Sequence, residues 1–163
     1  MNTLQIQKLL ELNTYVKPLF KGVFAIDQLP KCDDGAFVLN TAKSNHPGKH
    51  WVAVYILGNN VEYFDSYGGE PSAFLKRWWR KRAWTYNPVP LQSPLTSVCG
   101  QYCIYYLIHR CRGITLDEML LDFCADVDYN DQMVYDFVDR KLDGLKLVDT
   151  QGLIKQLCEA KIK

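Results

Sequence analysis

Two short runs of strand-forming residues around a tight turn constrain the fold more than any other segment of this chain. Trp51–Leu57 is rich in β-branched and aromatic residues, Gly58-Asn59-Asn60 has strong turn chemistry, and Val61–Asp65 returns as a partner strand. We predict a β-hairpin here. Residues that are symmetric about the turn face each other, so the region of His50 falls near the level of Asp65. An imidazole and a carboxylate are therefore expected together at the open end.

Further helices and strands are predicted on both sides of this hairpin. Before it, the pattern indicates a helix over residues 3–12 capped by Thr3, a loop with short extended pieces over 15–30, and a buried strand over 36–40. After it, we predict a helix over 71–83 and an edge or irregular strand over 85–91, where two prolines lack donors. The remainder is predicted to be helical, with helices that start at Cys99, at the capping box of residues 115–118, at Asn130 or Asp131 (ending near Gly144), and over 153–160. The expected fold is one α+β domain over residues 1–163, with a central mixed sheet flanked by helices.

Size and composition are those of a single globular domain. The chain has 163 residues, of which 48% are apolar, and a formal net charge of +1, so bulk charge favours neither nucleic acid nor membrane. It shows no signal-peptide pattern and no run near the roughly 18 apolar residues of a membrane span. Six cysteines without a secretion signal indicate free thiols in a reducing compartment. We expect an intracellular protein without a membrane partner.

Four residues occur in the order and local setting of a thiol protease site. Cys99 lies at or near the start of a predicted helix, where backbone N–H groups and the helix dipole favour a thiolate, and Gly100 lets a substrate approach the backbone. His50 would accept the thiol proton, and Asp65 would orient His50. Gln92 would bind the oxyanion together with the backbone N–H of Cys99. This chemistry requires no metal and no cofactor.

Each of these residues also has a simpler structural interpretation. Cys99 can be one more small buried residue on an apolar helix face, His50 can be a surface histidine, and Asp65 can cap the turn over residues 66–68. Their combination on plausible elements favours catalysis. A zinc site is disfavoured, because its candidate ligands lack the usual Cys-x2-Cys spacing; they would be Cys99, Cys103, Cys111 and His109.

The ordered motifs resemble those of the adenovirus endopeptidase (adenain) family and of the related SUMO-specific proteases. Matching segments run from about Phe20 to Leu107; they are Phe20-Lys21-Gly22-Val23-Phe24, Val38-Leu39-Asn40-Thr41, Gly48-Lys49-His50-Trp51, Phe64-Asp65-Ser66-Tyr67-Gly68 and Cys99-Gly100-Gln101-Tyr102-Cys103. Such relatives occur in adenoviruses and in Maverick or Polinton transposons. The resemblance implies an endopeptidase that cleaves capsid or core precursor proteins at glycine-containing sites during particle maturation. It also implies a location in the host nucleus or within virus-like particles. Trp51 would help to wall a tunnel that admits only glycine.

The resemblance also suggests a peptide or DNA activator. The adenovirus enzyme binds its peptide through a cysteine between the Asp/Glu and Gln positions, and here no cysteine occurs between Cys32 and Cys99. A covalent peptide of that type is therefore not expected. DNA could bind the basic residues of the helix predicted after Pro71; they are Lys76, Arg77, Arg80, Lys81 and Arg82. The alternative is a solvated helix face, and helical spacing favours core packing for its tryptophans.

Two other functions stay open on the sequence alone. An isopeptidase that removes ubiquitin-like modifiers would use the same four residues, and its substrates also end in Gly-Gly. A non-catalytic DNA-binding particle protein, built around the basic helix, would bind DNA in a salt-sensitive way and have an unreactive Cys99.

Overall fold

A mixed β-sheet forms the centre of the protein. The computed structural model describes the backbone of residues 1–160 and the side chains of residues 1–143. Within these residues the sheet has five strands in the order β1-β2-β3-β4-β5; they are Phe20–Ala25 (β1), Gly35–Asn40 (β2), Trp51–Leu57 (β3), Asn60–Phe64 (β4) and Ala83–Tyr86 (β5). The three inner strands pair antiparallel, whereas β1 and β5 pair in parallel with β2 and β4. The predicted α+β fold with a mixed sheet is confirmed.

The described residues form five helices around this sheet; they are Thr3–Leu12 (α1), Ala73–Trp78 (α2), Cys99–Cys111 (α3), Leu116–Leu120 (α4) and Val127–Ala160 (α5). Asn2, rather than Thr3, caps α1. The predicted capping box of Thr115 and Glu118 is present at α4. None of the described helices is both long and apolar enough to span a membrane.

Side chains alternate across the inner strands, so each face of the sheet covers its own core. From β2, Ala36 and Val38 join a core built with α1, α3, α4 and the first turns of α5. Phe37 and Leu39 point to the other face and pack with residues of α2. Because both faces are covered, β2 is buried along its whole length, which explains its continuous apolar sequence.

The predicted hairpin is confirmed and fixes the position of the candidate site. Leu57 pairs with Asn60 across the turn, where Gly58 has a φ of 57°. The register continues to Ala53 opposite Phe64. One further step sets Val52 level with Asp65, so the residues that precede β3 and follow β4 meet at the same end of the sheet.

Two helix predictions need correction. The helix after Pro71 stops at Trp78 instead of running to Ala83, because the chain turns through residues 79–82 to supply β5 to the sheet. A single α5 replaces the two C-terminal helices that were predicted, and Gly144 lies inside it, since one glycine costs a helix only about 1 kcal/mol. Its first turn is capped by Asp126, which accepts hydrogen bonds from the backbone N–H groups of residues 128 and 129.

Candidate active site

The two ends of the hairpin bring His50 and Asp65 into contact. Nε2 of His50 lies 2.7 Å from Oδ1 of Asp65, and both side chains are largely buried. The same carboxylate oxygen accepts the backbone N–H of Tyr67 at 2.9 Å, and the Tyr67 ring stacks on the imidazole at 4.8 Å between ring centroids. Because Asp65 holds Nε2, the Nδ1 atom of His50 is left for another partner.

The backbone of Asp65 is fixed by a buried asparagine that the sequence analysis missed. Asn87, at the end of β5, accepts the Asp65 N–H at 2.9 Å and donates to the Asp65 carbonyl at 2.7 Å. Asn87 is fully buried. The Asn87 side chain therefore satisfies the backbone N–H and C=O of the residue after β4, as a neighbouring strand would do.

Cys99 is the first residue of α3, one position after the N-cap and close to the position immediately before the helix that was predicted. The N-cap residue, Val98, offers no side-chain hydrogen bond. The N–H of Gln101 bonds to the Val98 carbonyl at 3.0 Å and that of Gly100 bonds to the Cys99 sulfur, so the N–H of Cys99 is the first-turn donor left for a substrate. Burial opposes ionisation of the Cys99 thiol, but the hydrogen bond with His50, backbone hydrogen bonds from Trp51 and Gly100, and the charge of His50 together lower its pKa below the usual value. The site thus favours a thiolate.

The imidazole of His50 is correspondingly stabilised in its charged form. Burial alone would lower the pKa of His50, but hydrogen bonds to Asp65 and Cys99, and the negative charge of both, raise it to about 9. The lowered pKa of Cys99 and the raised pKa of His50 therefore both favour an imidazolium–thiolate pair. Two other thiols on α3 differ: burial raises the pKa of Cys111 to about 11 and that of Cys103 well above its usual value.

A cleft of about 560 Å³ opens beside Cys99. Its walls come from the start of α1, from β1 and from the loop that leads to His50, and include Phe24, Asn40 and Trp51. Asn40 shapes this wall by accepting the N–H groups of Ala42 and Lys49 at 2.9 and 3.1 Å. Trp51 lines the same cleft as Cys99 and can contact a substrate there. Its role in restricting the cleft to glycine stays a prediction.

Gly100 is buried rather than open toward the cleft. A Cβ atom at this position would lie 3.1 Å from Cδ1 of Ile6, 3.3 Å from Cβ of Met1 and 3.5 Å from Cδ1 of Trp51. The space beside Gly100 is thus occupied by side chains of the protein itself. Contact between Gly100 and a substrate stays a prediction.

Gln92 is buried, and both ends of its amide are already hydrogen-bonded. Oε1 accepts the Ser66 hydroxyl at 2.7 Å, while Nε2 donates to the carbonyl and the hydroxyl of Thr96 at 3.1 and 3.2 Å. Only the nitrogen can pair with a carbonyl oxygen, which fixes the orientation of the amide. The structure does not direct a free Gln92 donor at Cys99, so its oxyanion role stays a prediction.

Some basic side chains of the segment after Pro71 bind other residues, and the others are exposed to solvent. Lys76 pairs with Glu70 at 2.6 Å, and Arg82 donates to the Cys32 carbonyl at 3.3 Å. Arg77, Arg80 and Lys81 are exposed. Only Lys76 and Arg77 lie on α2, so the prediction of five basic residues on one helix is wrong, because the helix is shorter than predicted. DNA binding by these side chains stays a prediction.

The described side chains contain no cluster of three or more His, Cys, Asp or Glu residues that could hold a metal ion. The zinc alternative was to combine Cys99, Cys103, Cys111 and His109. The ring of His109 instead stacks on Tyr105, and its Nδ1 atom lies 2.8 Å from the Tyr105 carbonyl oxygen.

A cysteine at a helix start beside a histidine–carboxylate pair is an arrangement that can activate a thiol nucleophile. No family model matches the chain. A cysteine protease of African swine fever virus is 28% identical over 122 residues, which cover 65% of this chain and 42% of the relative. The same protein from another isolate, named a SUMO-1 cysteine protease, is 26% identical over 113 residues, covering 60% of this chain and 41% of the relative. A mimivirus protein (Acanthamoeba polyphaga mimivirus) assigned as a thiol protease is 24% identical over 173 residues, covering 81% and 57%.

The fold has a counterpart of known structure. The crystal structure of the African swine fever virus protease superposes with a TM-score of 0.59 at 18% identity, covering 82% of this chain and 65% of that chain. The chain spans less than half the length of the African swine fever virus relatives that it matches in sequence. Its sequence is similar to those of viral cysteine proteases, and its fold is similar to that of the African swine fever virus protease.

Proposed function

We propose that the protein is a cysteine endopeptidase that uses Cys99, His50 and Asp65 to cleave precursor proteins of viral or virus-like particles at glycine-containing sites. One observation carries the proposal: a thiol with a lowered pKa lies at the start of α3, on the cleft, with a histidine that is hydrogen-bonded to a buried carboxylate. A thiolate held ready by an oriented imidazole is the nucleophile that acyl transfer requires.

The reaction follows from these positions. The Cys99 thiolate attacks the scissile carbonyl carbon, and the imidazolium of His50 gives its proton to the leaving amine. His50 then takes a proton from water, which attacks the thioester and releases the acid product. Throughout, Asp65 keeps the Nε2 hydrogen of His50 pointed away from Cys99 and stabilises the positive ring.

Gln92 must exchange one hydrogen-bond partner before it can bind the oxyanion. The N–H of Cys99 is an unpaired first-turn donor of α3. In the proposal, the hydrogen of Gln92 Nε2 that bonds to the Thr96 carbonyl turns to the oxyanion, which is the stronger acceptor, while the other hydrogen stays on the Thr96 hydroxyl. The hydrogen bond of 3.1 Å that is given up is of ordinary length.

The substrate class rests on the relatives and on the cleft. The relatives are proteases of large DNA viruses. Trp51 lines the cleft beside Cys99, where a large ring favours residues that lack a Cβ atom next to the scissile bond. Activation by DNA or a peptide, and a location in the host nucleus or in particles, are parts of the same proposal. The exposed Arg77, Arg80 and Lys81 would supply the DNA contacts.

The test uses purified protein with a panel of candidate precursor proteins and peptides that vary around the scissile bond. We expect Cys99→Ala and His50→Ala each to remove nearly all cleavage, and Asp65→Asn to leave more, because its amide can still orient the ring. Peptides with glycine at the cleavage site should be cut, and those with bulky residues should not. Full activity in Cys99→Ala would end the assignment, and equal cutting of bulky peptides would end the glycine preference.

An isopeptidase for ubiquitin-like modifiers is the second candidate. The African swine fever virus relative that is named a SUMO-1 cysteine protease favours it, and such modifiers present Gly-Gly to a narrow cleft. A ubiquitin-like conjugate tested beside a particle precursor separates the two. Cleavage of the conjugate alone would replace the first proposal. A non-catalytic DNA-binding protein is not favoured, because it gives no reason for the lowered pKa of Cys99.

A further inference from the structure

A buried carboxylate on α5 contacts the segment that leads to the nucleophile. Asp131 is only 6% exposed. Its Oδ2 atom accepts the Thr96 hydroxyl at 2.6 Å and the Ser93 N–H at 3.2 Å, and its Oδ1 atom lies 2.8 Å from the Tyr102 hydroxyl. A buried carboxylate is costly unless donors surround it. Its donors here come from the approach to Cys99 and from α3 itself.

The hydrogen bonds continue from Asp131 to Gln92 through one hydroxyl group. Thr96 has a single hydroxyl proton, and the contact at 2.6 Å with a carboxylate takes it in preference to the Ser93 carbonyl at 3.2 Å. The Thr96 oxygen is then left to accept Nε2 of Gln92 at 3.2 Å. The carboxylate thus fixes which way the hydroxyl points, and the hydroxyl fixes the amide nitrogen.

The other end of Gln92 and the neighbouring chain are held equally firmly. The Ser66 hydroxyl donates to Gln92 Oε1, and the Ser66 carbonyl accepts the N–H groups of both Leu91 and Gln92. Asn130, beside Asp131 on α5, donates to the Leu91 carbonyl at 3.2 Å. The position of Gln92 is therefore determined by a residue next to Asp65 on one side and by α5 on the other.

We propose that Asp131 is a positioning residue that sets the Gln92 amide for the oxyanion through the Thr96 hydroxyl. This inference rests on the proposed function. Asp131 does not touch the reacting atoms, and it acts by orienting a donor whose alignment matters only in the transition state. Its removal should therefore lower kcat and leave KM nearly unchanged.

A double-mutant cycle tests the route through Gln92. We expect Gln92→Ala to lower kcat by about 100-fold or more, and Asp131→Asn by about 10-fold or more with KM within about twofold. In the Gln92→Ala background, Asp131→Asn should have little further effect on kcat, because the group that it positions is gone. A full additional loss in that background, or an unchanged kcat in Gln92→Ala, would overturn the inference.

A matched pair at position 96 keeps the test decisive if Asp131→Asn fails to fold. Thr96→Val keeps the shape and removes the hydroxyl, so kcat should fall, whereas Thr96→Ser keeps the hydroxyl and should recover most of kcat. Equal loss in both variants, or in neither, would contradict the inference. Alkylation of Cys99 should proceed at the wild-type rate in Thr96→Val, because the pair with His50 is untouched. Full activity in Cys99→Ala would refute the proposed function itself, whereas an active wild type with an inactive Cys99→Ala variant and an additive cycle would refute the role of Asp131 alone.

Discussion

At the scale of single residues, Cys99 and His50 stabilise each other's charged form. The pKa of the thiol is lowered and that of the imidazole is raised to about 9, although burial acts against both charges. The carboxylate of Asp65 supports the positive ring from the far side. Cys99 should therefore be a thiolate at a pH where the other two thiols of α3 are protonated.

The pH profile of alkylation measures this difference. In wild type, Cys99 should react at a pH below the ordinary thiol pKa of about 8.5, because the thiolate is the nucleophile and its pKa is lowered. In His50→Ala the profile should move to higher pH, since burial then raises the pKa with less opposition. Mass spectrometry after iodoacetamide labelling reports each cysteine separately. Cys103 and Cys111, whose pKa values burial raises, are internal controls, and a Cys99 profile that coincides with theirs would contradict the mechanism.

At the scale of elements, the start of α1 covers the start of α3. Ile6 and Met1 pack where Gly100 lacks a side chain, directly beside the nucleophile. With a Cβ atom at position 100, the side chains of Ile6 and Met1 would have to shift by a few tenths of an ångström. The position of Cys99 thus depends on α1 as well as on its own helix.

A pair of substitutions tests this contact. Gly100→Ala should lower stability by about 1–3 kcal/mol through overpacking, and peptide hydrolysis should fall with it. Ile6→Val removes the Cδ1 atom that lies 3.1 Å from the new Cβ atom, so it should restore part of both losses in the Gly100→Ala background. Urea denaturation and peptide hydrolysis are the measurements. The control is Ile6→Val alone, which should cost about 0.5–1.5 kcal/mol; simple addition of the two costs would show that the contact does not restrain α3.

The elements that the sequence predicted well are those specified by local interactions. The hairpin needed only its turn and its alternating strands, and it was enough to bring His50 to Asp65. The length of α2 was wrong because its end depends on β5 joining the sheet, which local propensity does not report. Asn87 and Asp131 were missed as site residues for the same reason: each binds a segment more than 20 residues away. Asp131 lies in a polar run with Asn130 and Gln132, and nothing local distinguishes it from a solvent-exposed helix start.

At the scale of the whole molecule, the sheet separates two cores of different size. The larger core contains α1, α3, α4 and part of α5, and it supports the nucleophile. The smaller core lies on the other face and depends on α2 and on Trp79, which is 2% exposed. The strands shared by both cores transmit a loss on either side to the stability of the whole.

Trp79 therefore matters to folding more than to the reaction. We expect Trp79→Ala to lower the free energy of unfolding by about 3–5 kcal/mol, because a large buried ring is lost. Phe74→Ala on α2, the helix that Trp79 follows, is the matched control, since Phe74 is 53% exposed and should change stability by no more than about 0.5 kcal/mol. Thermal or urea denaturation gives both values. Equal effects would mean that the smaller core contributes little.

The hydrogen bond between Asp131 and Thr96 also affects when the site can form during synthesis. Cys99, His50 and Asp65 all leave the ribosome before Asp131, and the residues between Cys99 and Asp131 take a few seconds to add at about 5–20 residues per second. Until α5 emerges and docks, the segment before Cys99 lacks the carboxylate that Thr96 and Ser93 bind. A nascent chain is thus kept from assembling its full site until the start of α5 has been made and has docked.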